Sequence, residues 1–157
     1  MLNDLKRLFR EFVEDSYAGT QSAPITLEIA TAVLLVEAAA MDETFEATER
    51  DMIKRLLAER FSLQPEDVAS LIGEAEARVA DTDQYHPFID RISKDLSIAE
   101  RGEIIEMMWR VAYADGEIDT HEDALLRQVA GLLHVPDRDR GLARQRARAA
   151  ASIEDDT

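Results

Sequence analysis

The segment Ala114-Asp115-Gly116-Glu117-Ile118-Asp119-Thr120-His121-Glu122 gathers four carboxylates around one turn. An apolar run precedes it and an apolar-periodic run follows. A fainter copy, Met41-Asp42-Glu43-Thr44-Phe45-Glu46-Ala47-Thr48-Glu49, stands upstream. Asp42, Glu46 and Glu49 align with Asp115, Asp119 and Glu122 at one constant offset, and Phe45 aligns with Ile118. Met52-Ile53 aligns with Leu125-Leu126. With a one-residue gap, Phe61-Ser62-Leu63 matches Leu133-His134-Val135, and a proline follows each. A chain built twice from helix, acidic turn and helix is expected to be all-α. It predicts a compact helical bundle of two pseudo-symmetric helix–turn–helix units, with about seven to eight helices in all.

The remaining periodicity agrees. Leu2, Leu5, Phe9, Phe12 and Val13 share one stripe, which predicts an amphipathic helix over residues 2–17 and a polar linker to Pro24. An apolar helix follows over Ile25 to Met41. Pro65 and Pro87 each stand in the first turn of an expected helix. Ser97-Ile98-Ala99-Glu100 has the spacing of a capping box and opens a longer helix carrying Ile104, Ile105, Met108 and Val111. Pro136 starts a last, arginine-rich helix. The expected organisation is an N-terminal helix and linker (1–23), a helical domain (24–150) and a disordered acidic tail (151–157).

Charge and composition narrow the function. The 157 residues carry 33 acidic against 18 basic side chains, a formal net charge of −15. Such a field repels nucleic-acid phosphates and attracts cations, so no nucleic-acid partner is expected. No cysteine is present, which removes thiolate catalysis and thiolate-bound zinc. The three histidines are too few for a histidine-rich metal site. The N-terminus reaches charged residues at once and has no secretory apolar region. The Ile25–Met41 run includes Glu28 and Glu37 and is short of the roughly 20 apolar residues of a membrane span. It reads as the buried core helix of a cytoplasmic protein.

Hard divalent cations take several oxygen ligands at once, and close carboxylates on a turn can supply them. Asp115 through Glu122 fits the second half of an EF-hand loop, with Gly116 at the sharp turn. The first two ligand positions would fall on Val111 and Tyr113, which bring no carboxylate, so the loop is half an EF-hand. The candidate metal ligands are Asp115, Glu117, Asp119 and Glu122, with Asp42, Glu46 and Glu49 from the first copy. Calcium, magnesium or manganese would suit such a set. Helix capping is the plain alternative. Asp119 can cap the helix that follows, with Glu122 three residues on. First-turn acids also favour the helix dipole by about 0.3–1 kcal/mol each. Capping leaves Asp115 and Glu117 unexplained.

At Ala112-Tyr113-Ala114-Asp115-Gly116, Glu117-Ile118-Asp119, Glu122 and Leu125-Leu126, the chain resembles the tellurite-resistance TerB family. That family's relatives include the N-terminal domain of a membrane-anchored DnaJ-like co-chaperone. Ala38-Ala39-Ala40-Met41-Asp42 through Glu49 repeats the pattern, and the resemblance covers about Ile25 to Val135. It implies an all-α fold of two helical units and an acidic surface that binds divalent metal. It also implies a role in stress-response complexes near the inner membrane, with peripheral membrane association.

Other chemistries find little support. His121-Glu122 lacks the second histidine of a zinc hydrolase, because position 125 is leucine. There is no glycine-rich phosphate loop, and no enzyme activity is expected. Trp109 reads as core and His121 as exposed. Arg138, Arg140, Arg144, Arg146 and Arg148 read as a solvated helix paired to the acidic body. The leading expectation is a non-enzymatic, cation-binding domain with protein partners. A metal-free protein-interaction module is the alternative, and a hydrolase-type enzyme is third.

Overall fold

A computed structural model describes residues 24–40, 47–81, 84–115 and 120–155. The expected N-terminal helix over 2–17 lies outside the described residues. Among the described residues the chain forms seven α-helices and one 3-10 turn, with no strand. The helices are α1 (Leu27–Ala40), α2 (Ala47–Phe61), α3 (Pro65–Asp81), α4 (His86–Asp95), α5 (Ile98–Ala112), α6 (Thr120–Leu132) and α7 (Asp137–Asp155). The 3-10 turn, Tyr113–Asp115, follows α5 directly. The all-α expectation holds. α7 continues through Ala151 to Asp155, across most of the segment expected to be a disordered tail.

Helix α1 is the hub. Thr26 accepts a hydrogen bond from the Ile29 backbone N–H at 3.1 Å and so caps the first turn. Every residue from Ile29 to Ala39 is buried, Thr31 and Glu37 included. A helix apolar all round must be enclosed on all sides, and α2, α3, α4, α5 and α6 all pack on it. Thr31 is accommodated by donating its hydroxyl to the Leu27 carbonyl at 2.8 Å. Each buried leucine, isoleucine or valine here contributes about 1.5–3 kcal/mol relative to exposure. No helix among the described residues is long and apolar enough to cross a membrane.

The surrounding helices each bury one stripe. On α3 it is Val68, Leu71, Ile72 and Ala75, spaced as one helical face. Proline opens α3, where its missing N–H costs nothing. Arg50 of α2 forms a two-pronged bond with Glu76 of α3 at 3.1 and 2.9 Å. At α5 the capping box is complete: Glu100 N–H donates to Ser97 Oγ, and Ser97 N–H donates to Glu100 Oε1. Arg101 ties three carbonyls together, those of Ser93, Leu96 and Leu133, so the α4–α5 corner is fixed to the end of α6.

Helices α2 and α6 end alike. Ser62 and His134 adopt left-handed conformations, with φ of 54° and 59°. Leu63 N–H then reaches back to the Ala58 carbonyl, and Val135 N–H to the Ala130 carbonyl. Both are Schellman-type ends, in which the left-handed residue lets the following amide satisfy an orphan carbonyl of the last turn.

Candidate metal centre

Three of the seven expected ligands fall within the described residues. Glu49 and Glu122 are the third residues of α2 and α6, and each side chain is only 1% exposed. Asp115 closes the 3-10 turn that leads away from α5. Asp42, Glu46, Glu117 and Asp119 lie outside the described residues. A buried carboxylate keeps its charge only where partners offset several kcal/mol of lost hydration. Burial of both glutamates therefore marks the two helix starts as more than solvent-facing first turns.

The described residues do not form a metal site by themselves. Among them, no three histidine, aspartate or glutamate side chains converge as ligands would. Hard-ion coordination needs more oxygens than Glu49 and Glu122 bring, so any cation must draw on the turns themselves.

The 3-10 turn packs directly against α2. Between them opens a cleft of about 350 Å³. Thr48, Asp51, Met52 and Arg55 of α2 line one wall, at the spacing of a single helical face. Arg110, Tyr113 and Ala114 line the opposite wall, and Ala147 and Ala151 of α7 close the floor. Thr48 lies near the end of the first acidic segment and Ala114 at the start of the second. Sequence reading identified none of these residues as a cavity, since they come from three separated stretches. The helical face of α2 was the one local signal.

The arginine-rich helix pairs with the body as expected. Arg146 binds Glu106 of α5 and Arg144 binds Asp123 of α6 at 3.4 Å, whereas Arg140 lies 3.8 Å from Asp137 of its own helix. Trp109 is buried in the core, its ring 6.1 Å from that of Tyr113. His121 is exposed, and Leu125, where a zinc hydrolase would need histidine, is buried.

No curated protein and no solved structure matches the chain. A family model described as tellurite resistance protein TerB matches residues 28–145, from the start of the hub helix well into α7. That span takes in both buried glutamates, the 3-10 turn and every cleft residue except Ala147 and Ala151, and covers three-quarters of the chain. The chain belongs to the TerB family.

Proposed function

We propose that this chain is a non-enzymatic TerB-family domain that binds a divalent cation through its acidic inter-helix turns. The observation that carries the reading is the shared cleft: Thr48 of the first acidic segment and Ala114 of the second line one cavity. Glu49 and Glu122, buried at corresponding places at the ends of the two segments, support it. The ligand set is Asp115, Glu117, Asp119 and Glu122, with Asp42, Glu46 and Glu49 from the other turn. All-oxygen donors select calcium, magnesium or manganese over softer ions. The domain acts in cytoplasmic stress-response assemblies of the tellurite-resistance type, at times against the inner membrane, where a bound ion sets the acidic surface seen by a protein partner. Titration of each ion against the ion-free chain tests this. Saturable binding that Asp115→Asn with Glu122→Gln abolishes supports it; absence of heat at millimolar ion rules it out.

The same cleft favours one other reading, a metal-free protein-interaction module. Its mixed lining, with Met52 and Tyr113 beside Arg55 and Arg110, suits a partner side chain as well as an ion. Partner capture that survives chelator and is lost on deleting residues 1–23 would favour that module.

A further inference from the structure

The cleft beside the 3-10 turn brings two guanidinium groups to one small space. Arg55 enters from α2 and Arg110 from the last turn of α5. Arg55 is held on its wall by its own helix, where Nη2 donates to Met52 Sδ at 3.2 Å. Among the described lining residues Asp51 is the one acid. The wall therefore carries a single net positive charge, within a chain whose formal net charge is −15. Met52 and the alanines of α7 supply carbon surface. Tyr113 adds a neutral donor. Its hydroxyl oxygen accepts from Arg144 Nε at 3.0 Å, which leaves the hydroxyl's own proton to be given elsewhere. Arg144 Cζ lies 4.7 Å from the Trp109 ring centroid, so stacking steadies the cation that orients the hydroxyl. A hydroxyl polarised in this way is a stronger donor.

We propose that this cleft binds a small organic monocarboxylate, its oxygens between Arg55 and Arg110 and its carbon body against Met52 and the alanine floor. Tyr113 donates a further hydrogen bond to the carboxylate. The planar fork of a guanidinium matches a carboxylate edge to edge. One net positive charge matches one negative charge. A dianion such as phosphate would meet Asp51 and the acidic field of the whole chain, and it would leave the apolar floor unused. A volume of about 350 Å³ stands at the small end of ligand cavities. This inference is independent of the cation reading, because its residues belong to α2, α5, the 3-10 turn and α7, and none is a candidate metal ligand.

The experiment is an NMR titration of benzoate and butyrate into the full chain in chelator, so that cation binding plays no part. Butyramide, inorganic phosphate and a blocked peptide with one glutamate are the comparison probes. Emission from Trp109, the single tryptophan, is the second readout, and melting curves establish that each variant is folded. Both acids should shift the amide signals of Met52, Tyr113 and Ala114 saturably. Butyramide, similar in shape but uncharged, should bind about tenfold more weakly or less, and so should phosphate. Arg55→Gln and Arg110→Gln should each weaken benzoate by about tenfold, and Tyr113→Phe by about threefold to tenfold. Asp51→Asn removes a repelling charge and should tighten binding by about twofold to fivefold, a gain that no folding defect imitates. If an arginine variant fails to fold, Tyr113→Phe and Asp51→Asn carry the test. No saturable shift with either acid, equal binding of butyramide, or folded variants that all bind as the wild type does would overturn the proposal. Phosphate binding as tightly as the acids would make this a bare-anion site and overturn the carboxylate assignment. Tighter binding of the glutamate peptide would move the occupant to a protein side chain and overturn the small-molecule assignment.

Discussion

Glu49 and Glu122 stand at the same place in two helices, each the third residue of its helix, and both are buried to 1% exposure. A third-position glutamate ordinarily faces solvent and complements the helix dipole. Here tertiary packing encloses both. If they serve a cation, the bound ion adds to the stability of the fold. In chelator, Glu122→Gln and Glu49→Gln should still melt cooperatively, which separates loss of the ion's contribution from loss of the fold. With ion at a hundredfold excess over its dissociation constant, the wild type should gain about 2.7 kcal/mol, roughly 5–10 °C. The variants should gain much less. Melting curves with and without calcium check this, and equal gains in variant and wild type would contradict it.

The left-handed residues at the ends of α2 and α6 make a second prediction. Ser62 and His134 hold φ of 54° and 59°, where a side chain costs about 1–2 kcal/mol that glycine does not incur. Ser62→Gly and His134→Gly should therefore stabilise the fold, by about 0.5–1 kcal/mol once the looser unfolded chain is counted. Urea denaturation measures it. A destabilisation at either site would mean that the exposed side chain makes a contact worth more than the strain.

A third prediction concerns the Ser97–Glu100 box. Hydrogen bonds from the Ser97 backbone N–H and side chain, in that order of weight, hold the Glu100 carboxyl below its ordinary value. A carboxyl lowered by folding contributes stability above its unfolded value and loses it as the pH falls through the folded one. Glu100→Gln should therefore be less stable than wild type near neutral pH, and the two should converge in acid. Ser97→Ala removes the cap and should cost about 1 kcal/mol. Parallel melting curves from neutral pH into acid test both. A gap that stays constant with pH would show that the box contributes nothing through ionisation.

The capping box was legible in the sequence because its partners are three residues apart. The hub helix was legible because an apolar run of that length, with acids only at Glu28 and Glu37, has one sensible place in a small all-α domain. The prolines at 65 and 87 marked helix starts by a local steric rule. What stayed hidden depends on packing between distant elements. Arg144 belongs to a block of five arginines, and nothing nearby in sequence distinguishes the one that reaches Tyr113, Asp123 and Trp109. The left-handed ends at Ser62 and His134 lack the usual glycine, so only their shared setting before a proline hinted at them. Burial of Glu49 and Glu122 follows from how α2 and α6 lie in the bundle, which no local pattern encodes.

The most direct test of the account is isothermal titration of calcium and manganese into the ion-free chain, beside Asp115→Asn combined with Glu122→Gln. The account predicts saturable heat in the wild type and none in the double variant, which should still melt cooperatively in chelator. No heat from the wild type at millimolar ion, or equal heat from both proteins, would contradict it.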